Sequence, residues 1–399
     1  MAAALSAAED GWKVVIVERE DTLGGILNQC IHNGFGLHYF KEELSGPAYA
    51  ERFSDMIESS GISVFLNMTV MDIVKEGEDL TAYGLSMDPG MVEFKVKSIV
   101  FANGCRERNR GNIGTPGTRP SGIYTAGLAQ RLVNLEGLIP GKECVIVGSG
   151  DIGLIMARRM SWIGANVKAV IEIQPNPAGL TRNIVQCLND FDIPLYLSHV
   201  VGNIRGKDRV EEIDVIPLEN GIQRREKMFS IRCDTLLLAV GLVPDNELAR
   251  KIGVELNPET GGPVVDSNLM TGIEGIFACG NLLHVHDLVD FVTEESLRCG
   301  KAVSRFLAGN RPAVQYRTSP GKNVKYVVPN FYEPGRESIF YARTLIVKNN
   351  AVLSVRIRGA EVYKKKLRHI QPSEMISFSI TGEAFSRMRE KGDMEVMIE

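Results

Sequence analysis

Residues 143–172, ECVIVGSGDIGLIMARRMSWIGANVKAVIE, decide the fold. The run Cys144-Val145-Ile146-Val147 has the length and β-branched content of a buried parallel strand. Gly148-Ser149-Gly150-Asp151-Ile152-Gly153 follows at once as G-x-G-x-x-G. A helical spacing of apolar residues (Leu154, Ile155, Ala157, Met160, Ile163) then leads to Gly164, and a second strand, Val167 to Ile171, ends in Glu172. In such a unit Gly148 makes the turn, Gly150 lets the backbone approach a pyrophosphate, and Gly153 lets helix and strand pack closely. The phosphate charge then sits at the helix N-terminus, where N–H groups and the helix dipole favour anions. Glu172 stands where a carboxylate accepts hydrogen bonds from a ribose 2′-hydroxyl, which favours NAD(H) over NADP. No Arg occurs between Glu172 and Pro177 to receive a 2′-phosphate. A lone G-x-G-x-x-G can be a glycine-rich turn and nothing more. Strand before, helix after and acid at the end of the next strand make the dinucleotide reading the stronger one.

Around this unit, 399 residues allow two or three domains with well-buried cores. Hydrophobic content of 44%, charged content of 24% and 40 glycines suit a glycine-rich α/β protein. A net charge of −4 offers no general attraction to nucleic acid or to anionic membranes. No apolar run reaches the roughly 18 residues of a membrane span. The apolar N-terminus lacks a basic segment and is interrupted by Glu9 and Asp10, so it makes a poor signal peptide. Seven cysteines without a C-x-x-C argue against a disulfide framework or a zinc site. The expectation is a reduced, cytoplasmic protein with no metal centre.

Upstream, Met1 to Ala8 reads as an alanine-rich helix, and Lys13-Val14-Val15-Ile16-Val17-Glu18 as a strand ending in an acid, with Gly24-Gly25 just beyond. This is the second half of another nucleotide-binding unit. Its pattern predicts a central strand and a glycine-rich turn ahead of Met1, and we expect the chain to be shortened at its start, with a gap in the sheet there. Cys30 to Tyr39, CIHNGFGLHY, is a polar and aromatic loop carrying His32 and His38. Residues 49–60 read as an amphipathic helix, and Ile62 to Leu66 and Val70 to Val74 as strands. A meander follows to Lys97, turning at Gly77 and at Asp88-Pro89-Gly90. Ser98 to Gly104 is a short buried strand running into a glycine, and Cys233 to Gly241 and Gly275 to Asn281 repeat that plan. Thr125 to Leu135 and 181–189 read as helices, and Leu195 to Val201 and Val210 to Pro217 as strands. A loop with His284, His286 and Asp287 precedes an amphipathic helix from Asp290 to Leu307, and Gly309 to Gly321 reads as a linker. Short alternating runs after Lys322 (Ile339 to Val347, Val352 to Ile357, Met375 to Ile380, Glu395 to Ile398), with a turn at Asn349-Asn350, suggest a β-rich domain. Lys364-Lys365-Lys366 with Arg368 reads as a solvated strand face.

With these pieces placed, residues 11–309 resemble the two-dinucleotide flavoproteins of the pyridine nucleotide-disulfide oxidoreductase superfamily. VIVERE with Gly24-Gly25, VFANGCRER, VGSGDIG with LLAVGLVPDN, and GIFACGN before a helix carry the likeness, in family order. Within the superfamily the chain is similar to hydrogen cyanide synthase and opine oxidase subunits, and to flavoproteins that accompany anaerobic-type glycerol-3-phosphate dehydrogenases. The resemblance implies an α/β fold of two Rossmann-like domains, an FAD domain (1–115 and 246–309) and an NAD domain (116–245), plus a β-rich C-terminal domain (322–399). It implies that Glu18 holds the FAD adenosine ribose, that Gly24 and Gly25 lie along the cofactor, and that the Val70 backbone meets adenine. Ala102 and Gly104 would border the FAD, Gly280 and Asn281 would face its pyrophosphate and ribityl chain, and Gly241 would lie near the domain junction. The helix starting near Asp290 would point its N-terminus at the flavin, stabilising negative charge on the reduced ring.

Three departures matter. The FAD phosphate loop is not in the sequence, Asn281 stands where the family usually has Asp, and Asn103 replaces the usual Thr. The redox-active C-x-x-x-x-C is also missing: GGILNQCIHNG offers Cys30 only, so an intramolecular dithiol cycle is not available. The expected function is a flavin-dependent oxidoreductase passing hydride between NAD(H) and FAD and on to an amine, imine, quinone or partner dehydrogenase subunit. Cys30, His32, His38, His284 and His286 are the candidates for chemistry at the second substrate, the histidines as proton carriers. Two alternatives stand beside it. One is an electron-relay or binding subunit of a multi-subunit dehydrogenase; the other is a single-cysteine peroxide or disulfide reductase built on Cys30.

Overall fold

The computed structural model describes residues 1–311, 314–387 and 391–399. The expected linker at 309–321 therefore falls partly outside the described residues. The chain divides into two compact units, Arg106–Val243 and Met1–Cys105 with Pro244–Glu399.

The unit Arg106–Val243 is built on a five-stranded parallel sheet in the order Ile123–Thr125, Thr235–Leu238, Glu143–Val147, Asn166–Glu172, Leu195–Leu197. Glu143–Val147 lies in the middle, and its Cys144, Val145 and Ile146 are fully buried. That accounts for the unbroken apolar run: both faces of the strand are covered. Cys144 and Ile146 pack with Leu154, Ala157 and Met160 of the helix Asp151–Trp162 and with Ala126 and Ala129 of the helix Ala126–Asn134. Val145, pointing the other way, meets Val201, Ile204, Ile213 and Val215 of the antiparallel strands His199–Arg205 and Glu212–Glu219. The expected single strand from Leu195 to Val201 is two strands. Ser198, at φ 56°, breaks the run, so the first piece ends the parallel sheet and the second starts the antiparallel layer. A third antiparallel strand, Phe229–Arg232, pairs with Glu212–Glu219 and was not marked by its short alternation.

In the other unit, the strand Val15–Val17 pairs in parallel with Ser63–Phe65, and Ile99–Phe101 with Ile276–Ala278. These are two separate ladders where a doubly wound sheet has one. The helix Ala2–Glu9 lies against the long helix Val289–Leu307, so close that a Cβ on Gly300 would stand 2.4 Å from the Ala3 carbonyl oxygen. Ser6 Oγ donates to the Leu297 carbonyl across the same contact at 2.8 Å. The helix Gly46–Ser60 starts on a Ser45 side-chain cap and ends at Gly61 in the left-handed region. The meander Thr69–Glu76, Asp79–Leu85, Met91–Val96 turns where the sequence expects it to.

The β-rich C-terminal part forms a five-stranded and a three-stranded sheet around Phe340, Leu353, Val355, Phe378 and Val396. Tyr326 and Val328, from the strand Val324–Val328, join instead the core that holds Phe101, Phe277 and Cys299. The expected turn at Asn349-Asn350 is corrected: both asparagines lie inside the strand Lys348–Ile357, where Asn350 takes φ 54°. The reversal comes earlier, after Thr344. Lys364 and Lys366 are exposed on the strand Ala360–Ile370, while Lys365 donates to the Ser377 carbonyl at 2.7 Å.

Candidate functional site

The glycine loop between the strand Glu143–Val147 and the helix Asp151–Trp162 has three different constraints at its three glycines. Gly148 turns with φ 99°, and a Cβ there would lie 2.2 Å from the Ala239 carbonyl oxygen, so no side chain fits. A Cβ at Gly153 would lie 2.3 Å from the Gly148 carbonyl oxygen and 3.0 Å from the Ala239 Cβ, which is the close helix–strand packing. At Gly150, the N-cap of the helix, a Cβ would meet no protein atom within 4 Å. Space is left at Gly150, the glycine expected from the sequence to approach a pyrophosphate, and Asp151 and Ile152 open the helix behind it.

Glu172 and Ser149 hold this loop in shape. The Glu172 side chain is 5% exposed, and its Oε2 accepts from the Ser149 N–H at 2.8 Å and the Ser149 hydroxyl at 2.6 Å. Its Oε1 accepts from the Gln174 N–H at 2.9 Å. Ser149 Oγ in turn accepts from the Ala178 N–H at 2.9 Å, and Asp151 Oδ1 accepts from the Leu180 N–H at 2.9 Å and from Asn183 Nδ2 at 2.6 Å. The Pro-rich segment after Glu172 is thus strapped to the glycine loop. Gly179 sits under the strap, where a Cβ would come within 2.6 Å of Leu154 Cδ1. Sequence reading assigned Glu172 to a ribose and missed its second role and that of Gly179; the cue was that a carboxylate ending a buried strand needs N–H partners. This chain's residues therefore fit an NAD(H) pyrophosphate. In the same unit Gly241, at φ 98°, gives its carbonyl to the Arg108 N–H at 2.9 Å.

In the other unit the flavin-type residues stand at strand ends. Glu18 follows Val15–Val17, with its Oε1 accepting from the Glu20 N–H at 3.0 Å. Ala102 and Asn103 are exposed just after Ile99–Phe101, and Asn103 Nδ2 donates to the Asp245 carbonyl at 2.6 Å. Gly104 is at φ 72°, Gly24 at φ 113° leads into a short helix from Gly25, and Val70 lies in the meander opposite Gly84. Polar and open strand ends of this kind suit an FAD ribose and ring edge. Gly280 does not offer its N–H outward: it donates to Glu295 Oε1 at 2.6 Å. Asn281 Oδ1 likewise turns in, accepting from the His286 N–H at 3.0 Å.

The helix Val289–Leu307 gathers both histidine loops. Asp290, in its first turn and 1% exposed, accepts from the Tyr39 N–H at 3.2 Å, and His38 stacks on Phe291 with ring centroids 5.8 Å apart. His32 stays at the loop, near Phe35 and its own neighbour's carbonyl. On the buried face, His284 Nε2 lies 3.0 Å from Glu295 Oε2 and His286 Nε2 3.3 Å from Glu295 Oε1. Burial, then the neighbouring His286, pushes His284 down to about 4. Burial works to raise Glu295, but the two imidazoles hold its carboxyl below the ordinary range. Glu295 was missed, although Glu295, Cys299 and Ala302 follow the helical period of a buried stripe and an acid there requires partners. Cys30 is 7% exposed, its Sγ donates to the Ile26 carbonyl at 3.3 Å, and burial pushes its thiol up to about 11. At neutral pH that is a packed, protonated thiol rather than a thiolate nucleophile.

The family model for pyridine nucleotide-disulphide oxidoreductases matches residues 1–296. The chain belongs to this family. Its members use FAD and NAD(P)H, and they are oxidoreductases. A CoA-dependent NAD(P)H sulfur oxidoreductase of Pyrococcus abyssi is 26% identical over 243 residues, 58% of this chain and 49% of the relative. An opine oxidase subunit of Agrobacterium tumefaciens is 24% identical over 305 residues, 70% of this chain and 58% of that one. The chain thus spans about half the length of the curated relatives it matches. Thioredoxin reductase of Lactococcus lactis shares the fold, with a TM-score of 0.64 at 18% identity, covering 77% of this chain and 95% of that one. Among the described residues no helix is long and apolar enough to cross a membrane.

Proposed function

We propose that this protein is a flavin-dependent NAD(H) oxidoreductase that passes two electrons between NAD(H) and a second substrate or partner. The observation that carries the reading is the glycine loop, closed to a side chain at Gly148 and Gly153 and open at Gly150. Ser149 and Glu172 keep the loop N–H groups in place, so anion binding costs little reorganisation. Glu172 ends the second strand of the unit, where a carboxylate near the ribose hydroxyls favours NAD(H). FAD, when bound at Glu18, Ala102 and Gly104, supplies the two-electron chemistry, while the protein contributes position and charge. Asp290 and His38 bring the 36–40 loop to the first turn of the helix Val289–Leu307, where the dipole favours negative charge. The buried, protonated Cys30 speaks against the single-cysteine reductase. Seven cysteines with no disulfide between them suit a reducing, cytoplasmic setting.

The test is spectroscopic. Purified protein saturated with FAD should show a flavin band that bleaches on anaerobic addition of NADH. A colourless, NADH-inert protein under those conditions overturns the proposal. The match to an opine oxidase component favours a second reading, a relay subunit. That reading predicts bleaching by NADH but no turnover with small acceptors until a partner protein is added.

A further inference from the structure

We infer that His284, His286 and Glu295 form a binding site for one divalent transition-metal ion, zinc fitting best. The three side chains come from the turn after the strand Ile276–Ala278 and from the helix Val289–Leu307, and all three are wholly shielded from solvent. One donor atom from each lies within 4.8 Å of the others. The nearest separations, 3.0 and 3.3 Å, fall just under the spacing of about 3.4 Å of two tetrahedral donors on one ion at roughly 2.0–2.1 Å.

Hydrogen bonding alone does not account for the group. Glu295 Oε1 takes the Gly280 N–H and Oε2 takes His284 Nε2. His286 Nε2 is near Glu295 but not aligned to bond it, and His286 Nδ1, His286 Nε2 and His284 Nδ1 have no hydrogen-bond partner. Buried polar atoms without partners are costly, and an ion among these side chains would take up His286 Nε2, which faces Glu295 without bonding it. The rings are not stacked flat: their centroids are 4.2 Å apart at 43°, with the Tyr341 ring 5.2 Å from each. Of the two cations beside this wall, Arg343 is matched by Asp287 and bonded to Tyr326 at 3.1 Å, and Arg298 donates to the Tyr341 hydroxyl at 3.1 Å. Two imidazoles and a carboxylate are the donor set of zinc, with a fourth position left for another ligand. The cysteine spacing, from which no metal centre was expected, is silent about a His/Glu site. Such an ion would pin the turn at Gly280 to the helix, because Glu295 already holds that turn by its N–H.

The experiment measures metal in full-length protein purified without a metal-affinity tag or chelator, whether or not the protein reduces flavin. Elemental analysis should find about one zinc per chain, and zinc-edge absorption should show only nitrogen and oxygen donors near about 2.0–2.1 Å. His286→Gln, which keeps the volume and leaves the Glu295–Gly280 bond intact, should cut the metal to below about a tenth per chain. Protein stripped by chelator should gain several degrees in melting temperature on adding zinc, and His286→Gln should gain none. Metal-free wild-type protein that does not respond to added zinc overturns the inference, leaving a hydrogen-bonded triad. Sulfur donors near about 2.3 Å overturn it too, since they would assign the metal to cysteine.

Discussion

Glu172→Ala separates a carboxylate that holds the loop from one that only greets a ribose. In the structure the side chain accepts two backbone N–H groups and one hydroxyl. Gln174 is exposed, so its N–H finds water once the carboxylate is gone. Ser149 is fully buried, and its N–H would lose a charged acceptor with nothing in its place. Leaving one buried donor unpaired costs about 1–3 kcal/mol, and losing the bond to a charged group puts the effect in the upper half of that range. Glu172→Ala should therefore lose about 2–3 kcal/mol of stability. Glu172→Gln keeps one oxygen and should lose about 1–2 kcal/mol, since its amide –NH₂ must face one of the donors.

The same displacement of the Ser149 N–H should weaken NADH binding. A loss of about 2 kcal/mol is roughly thirtyfold in Kd. Urea denaturation of both variants and fluorescence titration with NADH read the two quantities separately. If the loop role is right, stability and affinity fall together, and more in Ala than in Gln. Unchanged stability in Glu172→Ala with weakened NADH binding would leave only the ribose role. No change in either would refute the reasoning about the loop altogether.

Gly150→Ala and Gly153→Ala form a contrasting pair. The first meets no protein atom, so it should fold normally and lose NADH affinity; the second, 2.3 Å from the Gly148 carbonyl oxygen, should lose about 1–3 kcal/mol of stability by urea denaturation. Gly300→Val should destabilise by a similar amount, because its Cβ alone would stand 2.4 Å from the Ala3 oxygen, and thermal denaturation reads it. Cys30, raised from 9.0 to about 11 by burial, favours the neutral thiol in the folded state. Its contribution to stability is full below the unfolded value and is lost as pH rises through the window from about 9 to about 11. Alkylation of Cys30, followed by peptide mass spectrometry, should stay slow until that window. Cys30→Ser should leave NADH-driven flavin reduction intact, and a loss of that reduction would restore the cysteine to the mechanism.

The parts of this fold that could be read from sequence are those where one local stretch carries its own constraint. Gly148 to Glu172 is such a stretch: turn, close packing and buried strand all lie within thirty residues or so, and each leaves a residue-type signature. Ser198 defeated a strand assignment because its positive φ is imposed by the neighbouring layers and nothing in a serine announces it, whereas Asn350 takes the positive φ that asparagine favours but takes it inside a strand and not at a turn. Glu295 was hidden for a different reason. Its partners His284 and His286 are a loop away, and a Glu in an amphipathic helix ordinarily reads as a solvated face. Only the full burial of its neighbours on the helix turns it into a carboxylate that must be matched. The same logic links Glu172 to Ser149 and Glu295 to Gly280: in both units an acid binds the backbone of a glycine turn that follows a parallel strand. A glycine has no side chain with which to hold its own turn, so a buried acid from a later element holds each turn from behind.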